Sequence, residues 1–568
     1  MRTRSVSARK RPVRALAVLI LAAALSPALL SGEARKKFIE LGWDIPTTKE
    51  LREHWQEMEA HAPFDGVMFS VRAQAEGVKC DSQHFWTKQR WKREWFQEAV
   101  ADLKSCKFSR FTDNFLRINA TPGEVAWDDD EGWDALAEKT ATLAWLVHEA
   151  GCKGPAIDFE PYGRAMFKFD PALKHTFAEA AAMARKRGAQ FMQAIAGEFP
   201  NAVILTLFTN SVNFQAGRND NPDAVLASEH YGLLPAFVNG MLDKMPPQMV
   251  LVDGCENGYY MDSEAEYLRA AAEMRQWTGA ALQLVAPENR GKYRAQVQAG
   301  FGFYLDMFLN EEGNQYYRGP RNGSRVTRLR ENLTFARQAT DEYVWVYGEQ
   351  CRWWPLDDIA GFEKRLAKSV GKGRPWEEAL PGVTRAIEWA RSPAAAGKAE
   401  VEAMRRGGTL KNLLVNAGFD EGKGPLPAAW STWQREGPQG VFSWDNAVGR
   451  DKAGSAKAVG VKDGCFLQKI TVKPGESYAV EGACLRKGNS ACTLFVRWQT
   501  ENDKWTQEHN DRLVVFKPGE KEWEGASGVV IVPEGVGKLV LLLCVHNQSE
   551  QDACWLDDVG VYRLSALP

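Results

Sequence analysis

Eight short apolar runs, each followed by a stretch of helical period, recur between residues 35 and 392, and that alternation leaves very few folds open. The runs are Phe38–Asp44, Phe64–Arg72, Phe111–Ile118, Pro155–Glu160, Ala202–Thr209, Met249–Asp253, Ala299–Asp306 and Tyr343–Glu349. The clearest helical stretch places Phe177, Ala181, Ala184, Gly188, Phe191 and Ile195 at alternating steps of four and three. Trp133–Ala150 and Thr327–Ala339 follow the same rhythm. Eight strand-plus-helix units in about 350 residues is the arithmetic of a (β/α)8 TIM barrel. A doubly wound sheet is the competing arrangement, but it announces a Gly-rich turn after its first strand, and Gly42-Trp43-Asp44-Ile45-Pro46 is not one.

A barrel makes a statement about polar residues: functional side chains belong where strands end and the next loops begin. The runs end in Asp44, Arg72, Arg117 with Asn119, Asp158 with Glu160, Asn210, Asp253 with Glu256, Asp306, and Glu349. Asp158 and Glu160 stand two apart, so in an extended strand both project to one face. Two buried carboxylates side by side repel and are costly to hold unless paired, so the pair is expected to be functional, the alternative being an ion-paired structural strand end.

Eight histidines form no HExxH or other close pair, and no G-x-S-x-G elbow or phosphate-binding loop is present. Carboxylates with aromatics remain, and these are the tools of glycoside hydrolysis, which needs no cofactor. Glu160 is the expected proton donor, with Asp158 beneath it raising its proton affinity. Glu256, in a Gly-containing loop with Tyr259, and Glu349, followed by Trp353 and Trp354, compete for the second carboxylate. Asp44, Arg72, Arg117, Asn210, Tyr259, Asp306, Trp353 and Trp354 are the expected substrate-binding set. The Asp158-x-Glu160 ending of the fourth strand resembles the family-18 chitinases and related barrel glycosidases, in which the Glu is the general acid. The fuller chitinase signature has acids upstream where this chain has Lys153 and Ala156, so the resemblance implies a barrel glycosidase without implying chitin.

After residue 392 the composition changes. Residues 393–411 read as a linker, and from 412 to 568 helical patterns give way to short alternating runs punctuated by Gly and Pro, which predict a β-sandwich of jelly-roll type. The opening Asn416-Ala-Gly-Phe419-Asp420-Glu421 and the closing Trp555-Leu-Asp557-Asp558-Val559 resemble carbohydrate-binding jelly rolls of the family-4, -9 and -22 type. That resemblance implies adjacent module ends and a structural calcium ion, with Glu421 and Asp557 as the matching acids. Trp433, Trp444, Trp498 and Trp505 serve either as a sugar platform or as core.

Residues 1–34 carry six basic residues, an apolar run from Ala15 to Leu30 and small residues up to Ala34, the pattern of a cleaved signal peptide. Losing six positive charges and the negative Glu33 takes the formal charge from −2 to −7, so the mature chain has no electrostatic case for nucleic acid and no later segment apolar enough for a membrane. A secreted or periplasmic protein with a carbohydrate partner is expected; the alternative is a non-catalytic glycan-binding protein on the same scaffold. Ten cysteines show no CxxC pair, and Cys484 and Cys492 are placed to face each other across a hairpin.

Overall fold

Runs of Val, Ile, Leu and Phe without polar alternation suit strands covered on both faces, and in the computed structural model they form one parallel sheet. The structure describes residues 36–565 apart from 173–174, 322, 438 and 518–521; the expected signal peptide lies outside the described residues. The strands are β1 (Lys37–Gly42), β2 (Gly66–Phe69), β3 (Phe115–Asn119), β4 (Gly154–Asp158) and β5 (Val203–Thr206), followed by β6 (Val250–Asp253), β7 (Val297–Ala299), β8 (Phe301–Tyr304) and β9 (Tyr343–Gly348). Their order is β8-β9-β1-β2-β3-β4-β5-β6-β7, and the sheet curls into a nearly closed barrel. Nine strands replace the expected eight because the Ala299–Asp306 run is split. The chain breaks pairing at Gly300, with β7 pairing to β6 and β8 pairing to β9. The two ends of the sheet are therefore consecutive in sequence.

The connecting helices start where their caps say they should. Thr47 and Thr176 each accept the amide of a Glu three residues on, Glu50 and Glu179, whose side chains return the bond in a capping box. The helix Phe177–Glu198 crosses Leu234–Lys244 at Gly188 and Gly240. A Cβ at Gly188 would lie 1.9 Å from the Phe237 carbonyl, and one at Gly240 1.9 Å from that of Arg185, so this contact is backbone against backbone. Trp86, Trp133, Phe191 and Phe237 fill the space between these helices and the barrel wall.

Beyond the barrel, two five-stranded antiparallel sheets face each other. One runs Ser431–Gln434, Asp463–Thr471, Lys538–His546, Ala491–Gln499, Arg512–Val515; the other runs Val441–Asp445, Ser455–Val459, Ala553–Arg563, Ser477–Lys487, Glu524–Ile531. Their core holds Phe466, Leu494, Trp498, Leu541, Leu543 and Val561. The ends of this unit meet, as Asn412 donates to the Val559 carbonyl at 2.9 Å and the Leu413 amide to Val561 at 3.0 Å. The segment read as a linker holds a helix, Pro393–Arg406, whose Val401 packs with Trp389, Ala479, Tyr562 and Leu564. A bidentate pair from Arg512 to Glu264, both contacts 2.9 Å, also ties the sandwich to the barrel. Among the described residues all ten cysteines are free thiols, Cys484 and Cys492 included. No helix among the described residues is long and apolar enough to cross a membrane.

Candidate active site

The C-terminal ends of the barrel strands surround a cleft of about 840 Å³. Of the expected residues, Glu160, Glu256, Glu349, Arg72, Arg117 and Tyr259 line it together. Glu160 follows β4, Glu256 follows β6 and Glu349 follows β9, so the three carboxylates come from well-separated parts of the ring.

β4 ends at Asp158, and its carboxylate is fully buried. One oxygen accepts from Arg117 of β3 at 2.8 Å, and the other accepts the backbone amide of Glu160 at 2.9 Å. Arg117 also donates from Nε to Asn119 at 3.0 Å. Asp158 thus fixes the turn that presents Glu160, while Phe159 between them is buried against Phe167 and Phe237. Glu160 leans into the cleft, half-buried, and accepts a short hydrogen bond from the Tyr162 hydroxyl. Burial pushes its proton affinity up and the Asp158 and Glu349 charges add to that, while Tyr162 and Arg117 act in the opposite sense.

Glu256 sits on a turn that begins with Cys255 in the left-handed region, φ 34°. The turn is anchored from below by Asp253, which accepts from the amides of Thr209 at 3.0 Å and Ser211 at 2.9 Å. Among the described residues Glu256 has no side-chain hydrogen-bond partner. Burial pushes it up to about 8, with the charges of Glu160 and Asp158 adding and Arg117 opposing. Glu349 differs again: Tyr304 donates to one oxygen at 2.5 Å and Tyr347 to the other at 3.1 Å. Trp43 in turn donates to the Tyr347 hydroxyl at 2.9 Å.

The structure places the other expected contacts away from the cleft lining. Asp306 is fully buried and accepts the amides of Glu349 at 2.8 Å and Gln350 at 3.1 Å, so it positions the Glu349 turn instead of meeting a ligand. Asp44 is buried too and accepts the Trp353 amide at 2.7 Å. Trp354 is buried and donates to the Asp44 carbonyl at 2.9 Å, and Trp353 packs between Phe64 and Trp376. Asn210 is buried with its amide on the Ala281 carbonyl at 3.1 Å. None of these five lines the cleft. Asp44, Asp306, Asn210 and Trp354 each bond neighbouring backbone, where an unpaired group would be costly, while Trp353 fills space between rings.

Sequence reading missed the tyrosines. Tyr162, Tyr231, Tyr260, Tyr304, Tyr316 and Tyr347 join Tyr259 in the cleft wall, seven of the thirteen in the chain, whereas of twenty-one tryptophans only Trp43 is there. Tyr259, Tyr304 and Tyr347 form one cluster, with every pair of ring centroids 5.1 to 6.3 Å apart. The available signal was positional: Tyr347 lies two residues before Glu349 on the same strand end, and Tyr304 two before Asp306. Below the site, Glu40 of β1 is buried with both carboxyl oxygens unpartnered, beside Asp44, and burial raises its proton affinity strongly.

In the sandwich, Asp557 is buried and its two oxygens accept the amides of Arg450 at 2.8 Å and Asp558 at 2.7 Å. Glu421 is exposed and belongs to no cluster of three metal-ligating side chains among the described residues. Lys452 holds the neighbouring Asp420 at 2.7 Å, and Arg450 lies 3.5 Å from Asp558. Backbone amides thus meet both oxygens of Asp557, and the two basic side chains pair with the adjacent Asp420 and Asp558. The tryptophans separate as well. Trp498 is core and Trp444 is half-buried, while Trp433 and Trp505 are each 51% exposed.

No family model matches the chain, and no curated protein matches it. Similar solved structures include the enzymatically active domain of tailspike protein 4 of bacteriophage CBA120, at 15% identity, 27% of this chain, 21% of that chain and a TM-score of 0.23. A CBM61 module solved with β-1,4-galactotriose gives 16%, 27%, 99% and 0.21. The CBM22-1 xylan-binding domain of Paenibacillus barcinonensis Xyn10C gives 15%, 26%, 93% and 0.20. This chain spans about a fifth of the tailspike domain. Likenesses at these scores carry no argument about what the cleft does.

Proposed function

We propose that the barrel is a glycoside hydrolase and that the sandwich holds it on its glycan. One observation carries the reading: Glu160, Glu256 and Glu349 line a single cleft in three different environments. Hydrolysis of a glycosidic bond needs one carboxyl that keeps its proton and another that gives it up, and differing surroundings supply that difference. Glu256, half-buried without a side-chain partner among the described residues and held up to about 8, is the proton donor at neutral pH. That assignment moves the donor away from Glu160, the expectation from sequence. Glu160, whose rise from burial and Asp158 is opposed by the Tyr162 hydroxyl and Arg117, is taken as the ionised partner, and Glu349 with its two phenols orients the sugar. The clustered tyrosines offer flat faces and hydroxyls to a sugar ring.

For the sandwich, strand register decides which side chains share a face. Trp433 is opposite Cys465, Cys465 opposite Cys544, Cys544 opposite Thr493 and Thr493 opposite Val515. The rung two residues along runs Ser431, Leu467, Leu542, Phe495, Leu513 on the same outer face. Trp433 stands at one edge, and Trp505, stacked on Arg497 at 4.6 Å, stands toward the other. We assign the glycan-holding surface there.

The test is sugar release from a panel of plant, algal and bacterial polysaccharides. Wild type should release reducing ends from at least one, Glu160→Gln from none, and Trp433→Ala should weaken retention on the insoluble form while sparing release from a soluble one. Binding without release by wild type across the panel would favour the non-catalytic alternative.

A further inference from the structure

We infer that the cleft takes an anionic sugar, one carrying a carboxylate or a sulfate, with the anionic group against the wall formed by the loops after β9, β1 and β2. This rests on the reading of the cleft as a glycan site and adds the class of glycan. The charges in the cleft are divided by position. From residue 42 through Thr121 its lining includes Arg72, His84 and Arg117 and no carboxylate; Glu160 and Glu256 come from the opposite arc of the ring, after β4 and β6, while the third acid, Glu349 after β9, has its two oxygens taken by Tyr304 and Tyr347. The loop after β9 returns to the cationic side with Arg365, at the end of the helix Ile359–Arg365. Since β9, β1 and β2 are neighbours in the sheet, Arg365, Arg72 and His84 share one side of the mouth.

These cations are not consumed by the fold. Arg117 is, because its charge goes to Asp158. Arg72 meets only Asp81, through Nε at 3.3 Å, and its side chain is 58% exposed. Arg365 lies over the Phe362 ring at 5.6 Å and has no carboxylate at ion-pair distance among the described residues. A neutral glycan gains no ion pair from two exposed guanidinium groups on the cleft rim. A carboxylate or sulfate ester does, since the planar fork matches its oxygens and a charge-assisted bond is roughly twice as strong as a neutral one. Tyr162 and Tyr231, on the loops after β4 and β5, then face the uncharged part of the ring.

The experiment uses full-length Glu160→Gln protein carrying Trp433→Ala and Trp505→Ala, so that neither turnover nor the sandwich face contributes. Calorimetry measures binding of three oligosaccharides of equal length, one neutral, one of uronic acids and one sulfated. Expected is binding of one anionic series about tenfold tighter than the neutral one, weakening at high salt because the arginines are exposed. Adding Arg72→Ala and Arg365→Ala should remove that advantage, bringing anionic affinity down to the neutral level, with melting curves confirming that the protein is folded. The uronate and sulfate arms tell which anion is read. Equal affinity for all three, an advantage that survives the arginine changes, or no binding at all overturns the inference. Sugar release by wild type would still stand in those cases, so failure here is distinct from failure of the hydrolase reading.

Discussion

Arg117 is the residue on which the rim depends most. It is buried, and the fully buried Asp158 has it as its ionic partner; Asp158 in turn holds the Glu160 amide. Removing one partner of a buried pair leaves an uncompensated charge, which costs about 3–5 kcal/mol. Arg117→Ala should therefore lower the unfolding free energy by about that amount in urea titration and also cost sugar release, whereas a loss of activity at full stability would show that Arg117 acts on substrate directly. The residue scale is also where sequence was least legible. Asp158 and Glu160 were visible as a pair because alternation along a strand is a local rule. Their division of labour was not, because Asp158 is defined by Arg117, which is 41 positions away in sequence. The same holds for Asp44, Asp306 and Asn210: strand-end polar residues look alike in a sequence whether they face a ligand or close a backbone.

Elements were far easier to read. Seven of the eight apolar runs contain a single barrel strand each, and the eighth differs only by the break at Gly300, which the run Ala299–Asp306 carries in plain sight. Gly188 appears in the helical period as a small residue on the buried stripe, and its reason appears only in three dimensions, where the Phe237 carbonyl occupies the place of a side chain. The 393–411 segment is the opposite case. Its Ala- and Gly-rich start reads as a spacer, yet once Val401 and Trp389 find the sandwich the segment becomes a docked helix. Helical propensity alone does not decide that; the apolar partner does. Aromatic rings look alike in a sequence whether they line a cleft, as the tyrosines do, or fill the core, as Trp86, Trp345 and Trp376 do.

For the whole molecule, the cluster of protonated carboxyls beneath and within the barrel mouth links stability to pH. Burial holds Asp44 and Asp306 at about 7 and Glu256 at about 8, against about 4 for carboxyls in an unfolded chain. Between those values the folded state binds more protons than the unfolded one, so stability falls as pH rises. Asp445 and Asp503, held down at about 2, act only below pH 4, and Lys139, lowered by burial to about 7, acts in the opposite sense only from there upward. The midpoint of thermal unfolding should accordingly drop from pH 5 to pH 7, and Glu256→Gln should flatten that slope; a midpoint rising with pH over this range would contradict the assignment.

The central claim is that Glu256 delivers the proton to the leaving oxygen, and a leaving group that needs no proton isolates that step. The measurement is the activity of Glu256→Gln on the polysaccharide that wild type degrades, set beside its activity on the same sugar attached to an acidic nitrophenol. The account predicts a loss of about 10²–10⁴-fold on the polysaccharide with most of the nitrophenyl activity kept, the usual size of a general-acid contribution. Wild-type rates on both substrates would contradict it.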